Sequence, residues 1–385
     1  MTGTARDRHE TETLILDAVD KFCRQHLAPA DVRRRDEAHT PPYDLIPHLA
    51  DMGLPRIAIP EAYGGFGLGW STLCRVQERL AYHAYFAGSI LNRIVSFSAM
   101  PVIMFGTEAQ KRTLVPSFLD GASFMALALT EPGAGSDARA VTTRAVRHGT
   151  AWRVTGRKTW ISDADRAGYL LALCRTPGEA GGDRSLTTFM IPRAAAGIAM
   201  TLIPKVGNNC MPSYDIGLDD VEVPDALRLG EVGEGFTSVT GTLTFSRACM
   251  SATVTGCAQA AVDLAVAHAR ERVQFGRPVA QFQVIKHRLV DMHMKVKTAR
   301  LMVRELADAI DRDGPEAAGE LAAIAKITAT EALHDITDHG MQIMASAGYA
   351  AESAMQRYWR DARLYTFGEG SSEIQREIIA RHMGL

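Results

Sequence analysis

Cysteine is scarce and nowhere paired. Cys23, Cys74, Cys174, Cys210, Cys249 and Cys257 include no Cys-x-x-Cys, so free thiols in a reducing cytoplasm are expected rather than zinc or disulfides. An excess of one charge is also lacking. The 42 Lys and Arg against 44 Asp and Glu leave a formal charge of -2, without the basic surplus that drives non-specific nucleic-acid binding. Long apolar runs are missing: the longest charge-free stretch, Ala248–Val262, carries Ser, Thr and Gln and reads as too short and polar to cross a bilayer. The first dozen residues hold Arg6, Asp7, Arg8, Glu10 and Glu12 around no apolar core. No secretory signal is therefore expected there, and the acids argue against an organellar transit peptide. What is present is ordinary globular material, 46% hydrophobic and 22% charged over 385 residues. That is enough chain for two or three domains and a large core. A cytoplasmic enzyme is expected.

The hydrophobic period changes twice along the chain. Leu14, Ile15, Ala18, Val19 and Phe22 recur at helical spacing. Leu45, Leu49 and Met52 repeat it with Gly53 as a stop, and 73–85, 89–104 and 108–118 continue it. Gly64, Gly65, Gly67 and Gly69 predict a loop over 60–70. From Phe124, short β-branched or alternating runs follow one another at 124–129, 141–146, 152–157, 169–174, 186–191 and 200–203. Strands without intervening helices predict an antiparallel barrel or sandwich. Near Phe236 helical spacing returns, through 254–272, 281–311, 315–345 and 352–365, broken at Gly314-Pro315. The expected fold is α+β and mostly α: an N-terminal helical domain (1–122), a middle antiparallel β-barrel-like domain (123–234) and a C-terminal helical bundle (235–385).

Gly133-Ala134-Gly135-Ser136-Asp137-Ala138 matches the G-x-G-x-x-A pattern of dinucleotide folds. That pattern needs a following helix and an acid about twenty residues on. Here 141–154 alternates as β, Pro132 sits in the turn, and position 153 is Arg. What remains is a run of small residues through which backbone N–H groups can approach a phosphate closely.

Four segments together resemble the acyl-CoA dehydrogenase family. They are Leu129-Thr130-Glu131-Pro132-Gly133-Ala134-Gly135-Ser136-Asp137, Gly156-Arg157-Lys158-Thr159-Trp160-Ile161-Ser162, and Arg272-Val273-Gln274-Phe275-Gly276 followed by Gln283. The fourth is Trp359-Arg360-Asp361-Ala362-Arg363 with Phe367-Gly368-Glu369-Gly370-Ser371-Ser372-Glu373-Ile374-Gln375-Arg376. They stand in the family's order, from about residue 10 to the end. The resemblance implies a helical domain, a β domain and a four-helix C-terminal domain, with FAD as cofactor and no metal. It implies flavin contacts from Leu127, Leu129, Thr130, Gly135, Ser136, Trp160 and Ser162. Further cofactor contacts are implied for Arg272, Gln274, Phe275, Gln283, Gln342, Ser346, Ser371 and Glu373. Arg272, Gln283 and Gln342 would reach a neighbouring subunit's FAD, which implies an obligate homo-oligomer, a dimer or a dimer of dimers. Ser136, Arg247, Gly368 and Gly370 would line the substrate, an acyl thioester, and electrons would pass to an electron-transfer flavoprotein.

Glu369 is the residue on which the chemistry turns. An acid before a helix can simply complement the helix dipole, and Ser372 with Gln375 predicts a capping box there. By resemblance, Glu369 is instead the base that takes a thioester's α-proton, which suits a carboxylate whose pKa burial raises. Branched- and long-chain members carry that base on the helix of Thr244-Phe245-Ser246-Arg247, where Ser246 cannot serve. His334, Asp335, Asp338 and His339 could pair as metal ligands but read as ordinary helix-face pairs. Met292, Met294, Met341 and Met344 read as core packing. Two departures bear on substrate: Gly368 stands where many straight-chain members place a bulky aromatic, and Asn208-Asn209-Cys210 replaces the usual basic residue after Lys205-x-Gly207. Alternatives are the same chemistry on a carrier-protein thioester, an enoyl-CoA reductase direction, or a flavin-bearing nucleic-acid-binding protein of this fold.

Overall fold

The computed structural model describes residues 5–178 and 185–385. Helices open the chain: α1 (Ala5–His26), α2 (Pro29–Glu37), α3 (Ile46–Asp51), α4 (Trp70–His83), α5 (Tyr85–Ile94), α6 (Met100–Phe105) and α7 (Glu108–Leu119). Gly53, at φ +71°, turns the chain after α3. Thr107 and Gln110 close a capping box at the start of α7. Between α5 and α6 the helix widens into a π-turn over Val95–Ala99. There Ser98 Oγ donates to Arg93 O and accepts from Met125 N, both at 2.7 Å, tying the helices to the first strand.

The strands are β1 (Met125–Ala128), β2 (Arg144–His148), β3 (Ala151–Ser162), β4 (Tyr169–Arg175), β5 (Leu186–Pro192), β6 (Ile198–Leu202), β7 (Ser213–Pro224) and β8 (Arg228–Leu229). They form one eight-stranded sheet, ordered β6-β7-β3-β2-β4-β5-β8 with β1 on β4. Pairing is antiparallel except that β1 and β2 run parallel to β4. β7 is absent from the expected strands. Asp215, Asp219, Asp220 and Glu222 hide its alternation, because Arg157 and Arg153 on neighbouring β3 pair with Asp215, Asp220 and Glu222 across the ladder.

The chain ends in helices: α8 (Gly235–Glu271), α9 (Gln283–Asp313), α10 (Gly319–Met344), α11 (Ser346–Tyr349), α12 (Ala354–Tyr365) and α13 (Ser372–His382). A small hairpin, β9 (Val273–Gln274) with β10 (Arg277–Pro278), precedes α9. α8 is the axis of the molecule, 37 residues long. Gly256 lets α4 cross it closely, since a Cβ there would stand 2.2 Å from Glu78 O. One apolar core joins the N-terminal helices, the sheet and the front of α8, and a second fills the C-terminal bundle.

Two sequence expectations need correction. Residues 85–105 and 235–271 are long and apolar enough to cross a membrane by length and composition, but 78% of each apolar window is buried inside the protein. Their hydrophobicity serves the core. Met292 and Met344 are buried as expected, whereas Met294 is 59% exposed on the outer face of α9.

Candidate active site

The loop after β1 is held from beneath by a buried ion pair. Glu131 accepts from Thr142 N and Oγ1, both at 2.7 Å, and from Thr143 N at 3.0 Å. It meets Lys158 Nζ at 2.8 Å, with both side chains shut off from solvent. Lys158 also donates to Leu173 O at 2.7 Å and Leu129 O at 3.3 Å. Burial pushes the Glu131 carboxyl up, but the ammonium and the hydrogen bonds outweigh it and hold the pKa down at about 2. Thr159 N donates to Thr130 O at 2.9 Å. The first two motifs are therefore one unit.

Above that unit the surface is open. Nothing lies within 4 Å of where a Cβ would stand on Gly133 or Gly135, and Ser136 is exposed. Leu127, Leu129, Thr130 and Ser162 are half-buried. Ser162 Oγ lies 3.4 Å from Ser213 Oγ, while the Thr130 hydroxyl has no partner among the described residues. Trp160 sits at φ +60° where the β3–β7 register slips between Lys158 and Ile161. It leaves its indole 53% exposed. A bulky residue in the left-handed region is an outlier that persists only where its surroundings impose it.

Glu369 lies on the loop between α12 and α13, at φ +55° and followed by Gly370 at φ +92°. Side chains from the bundle hold this loop. Lys326 Nζ donates to Thr366 O at 3.1 Å, and Gln375 Nε2 to Gly370 O at 3.1 Å and Glu369 O at 3.3 Å. The expected capping box is corrected here: Ser371, not Ser372, caps α13 through Ile374 N, and Gln375 points back at the loop. Glu373 stands in the first turn of that helix. The Glu369 carboxylate accepts from Ser246 Oγ at 2.7 Å. Burial raises its pKa above the ordinary 4.5, with Ser246, Arg247, Arg93 and Lys326 pulling the other way. Arg247 is buried with an unpaired Nε, its Nη2 3.5 Å from Glu369 O.

Arg93 joins the two clusters. It pairs with Asp163, directly after Ser162, and also lies within electrostatic reach of Glu369. The Lys205–Cys210 loop docks on the fourth motif. Asn208 N donates to Asp361 Oδ1 at 2.5 Å, and Tyr365 OH to Asn208 Oδ1 at 3.0 Å. Burial pushes Asp361 up to about 6. The Asn that replaces the family's basic residue thus meets an acid held in the bundle. Arg93, Asp163 and Lys326 do not stand out in the sequence, and Lys158 is visible there only as a member of the second motif.

The remaining motif residues lie elsewhere. Arg272 ends α8, 26 residues after Ser246 and so about 39 Å further along the helix. Its side chain has no partner among the described residues. Gln274 and Phe275 form the following hairpin, with Phe275 93% exposed, and Gln283 is exposed at the start of α9. Gln342 and Ser346 line an open depression of about 480 Å³ with Asp338, Met341 and Tyr349. Lys295 takes Asp335. Among the described residues no group of three or more His, Cys, Asp or Glu could hold a metal.

Oxidoreductases that act on CH–CH donors are built on this three-part plan, and this chain is one of them. It belongs to the acyl-CoA dehydrogenase family: models of that family's N-terminal, middle and C-terminal domains match residues 9–122, 126–221 and 233–384. It is similar to glutaryl-CoA dehydrogenase of Desulfococcus multivorans, 35% identical over 94% of this chain and 93% of the relative. Its fold is similar to that of butyryl-CoA dehydrogenase from Megasphaera elsdenii, with a TM-score of 0.92 at 30% identity over 97% and 98% of the two chains. It is likewise similar to the prolyl acyl carrier protein oxidase AnaB, with a TM-score of 0.90 at 27% identity over 97% and 99%.

Proposed function

We propose that this chain is an FAD-dependent dehydrogenase of an acyl-CoA thioester, working in the cytoplasm, with Glu369 as the base and an electron-transfer flavoprotein as electron acceptor. The observation that carries it is Glu369 itself. It is a carboxylate in a strained loop, with a raised pKa and a single hydrogen-bond donor among the described residues. Such a group accepts a proton more readily than an ordinary exposed carboxylate.

FAD fits the chain's residues. The open backbone at Gly133 and Gly135 suits its diphosphate, the out-turned Trp160 its ring edge, and the hydroxyls of Thr130 and Ser162 its polar rim. When bound, FAD supplies the acceptor for the hydride leaving the substrate's Cβ. The protein's own part is to hold and deprotonate. Ser136, Arg247, Gly368 and Gly370 bind and orient the thioester, and Glu369 takes the proton from its Cα. Ser371 and Glu373 fix the helix start beside the base.

Arg272, Gln274, Phe275, Gln283, Gln342 and Ser346 serve a second subunit. Arg272 lies about 39 Å along α8 from Ser246, far from the cluster around Glu369. Phe275, with Val284, Met294 and Leu301 of α9, exposes 59% or more of each side chain, as expected of a face that a second copy covers. The working form is a dimer or a dimer of dimers. The likeness to a carrier-protein oxidase favours a second substrate class, an acyl group on a carrier protein.

Stopped-flow bleaching of the oxidised flavin tests the mechanism. Glu369→Gln keeps the size of the side chain but cannot accept the proton. Bleaching should fall by about 10²–10⁴-fold with substrate binding retained. Wild-type bleaching in that variant would remove Glu369 from the role. A panel of CoA and carrier-protein thioesters decides between the two substrate classes.

A further inference from the structure

We propose that Ser246, with its hydroxyl aimed by Asn92, is a positioning residue that sets the orientation and proton affinity of Glu369. The inference rests on Glu369 being the base.

The geometry is a two-step relay. Ser246 on α8 is wholly buried, and Asn92 on α5 is 4% exposed. Asn92 Nδ2 donates to Ser246 Oγ at 3.2 Å, and Ser246 Oγ lies 2.7 Å from Glu369 Oε2. A serine hydroxyl has one proton. With Asn92 directing an N–H at the oxygen, that proton is left to the carboxylate, at the short length typical of charge-assisted bonds.

Two other buried hydroxyls of α8 behave differently. Thr242 and Thr255 turn back to the carbonyls of Ser238 and Ser251, four residues earlier on the same helix. Ser246 instead leaves its helix and reaches across 123 positions of sequence. It is the only donor to the Glu369 carboxylate among the described residues. The charged groups facing that carboxylate are Arg247 on α8, Arg93 on α5 and Lys326 on α10. All three act at a distance. Cys249, one turn beyond Ser246, is pushed up to about 11 by burial and stays neutral.

A donor on the ionised form favours that form. Ser246 therefore offsets part of the burial and keeps Glu369 ionised at a lower pH than its surroundings alone would allow. Asn92 acts one step further out, by preventing the hydroxyl from turning away.

The test is the pH dependence of flavin bleaching at saturating substrate. Ser246→Ala should move the acidic limb up by about one pH unit, with the rate well above that limb kept within several-fold of wild type. Ser246→Thr should restore the wild-type midpoint. Asn92→Ala should shift the limb the same way but less, and should add nothing in the Ser246→Ala background. Difference infrared titration, wild type minus Glu369→Gln, should give the same midpoints from the carboxyl stretch without turnover. An unmoved midpoint in Ser246→Ala, or an Asn92→Ala shift that adds in full to it, overturns the relay. If Ser246→Ala does not fold, Asn92→Ala and its infrared midpoint decide alone. Wild-type bleaching in Glu369→Gln would instead defeat the assignment of the base, so the two failures are separable.

Discussion

Two glutamates in this molecule are treated in opposite ways. Glu131 is enclosed by a lysine and three donors, and its pKa is held at about 2. Glu369 has one hydroxyl donor among the described residues, with its cations at a distance, and its pKa is raised. Burial pushes both upward, so it does not distinguish them. The number of donors in contact does. A fully satisfied carboxylate is an anchor, and an under-satisfied one is left able to take up a proton, as the role proposed for Glu369 requires.

The largest effect that sharpens this contrast is functional. Glu369→Gln should lose about 10²–10⁴-fold in flavin reduction yet be at least as stable as wild type above neutral pH. The sign follows from its raised pKa: the folded state binds the extra proton, so ionising Glu369 costs stability as pH rises through that value. A variant that loses activity and unfolds more easily at pH 8 would erase the distinction.

Next in size is the anchor. Lys158→Met leaves Glu131 buried without its cation, and should cost about 3–5 kcal/mol in urea unfolding. For Glu131 the sign is reversed. Its pKa falls from 4.5 to about 2 on folding, so its contribution is complete above the unfolded value and is lost as pH falls towards 2. The wild type should therefore lose stability below about pH 5, and a Glu131→Gln, Lys158→Met double variant should lose less. Parallel acid profiles would show that the pair is not the anchor.

Arg272→Ala should weaken FAD retention and loosen the assembly together, by about 2–5 kcal/mol if the diphosphate it meets stays buried. Flavin content and sedimentation read both effects at once. A stable monomer with full FAD would break the link between subunits. The smallest effect is Ser371→Ala, about 1 kcal/mol through the lost cap of α13, measured as a lower unfolding midpoint.

The sequence made the scaffold legible where a period could be counted. Most helices of both terminal domains follow from spacing, with Gly53 as a stop; α2, whose one buried apolar residue is Val32, carries no period to count. β7 was hidden because its outward positions are acids that find arginines only after β3 is laid beside it. The cap at Ser371 was displaced by one residue, since Ser371 and Ser372 are equivalent in sequence and only the loop that Gln375 holds separates them. In the candidate site, the open turn at Gly133 and Gly135 and the buried Glu369 stand out by their motifs. Ser246 does not: its identity excluded it as a base, and its partnership with a glutamate 123 positions away exists only once α8 and the α12–α13 loop are packed.

α8 carries one further consequence. Ser246 and Arg272 are separated by a stretch of unbroken helix, which acts as a ruler with a phase as well as a length. Deleting one residue between them would shorten the span by about 1.5 Å and rotate one end against the other by about 100°. Inserting four would nearly restore the phase but overshoot by about 6 Å. A substitution along this helix leaves that span and phase unchanged, whatever it costs locally as at Gly256, while a change in its length alters both.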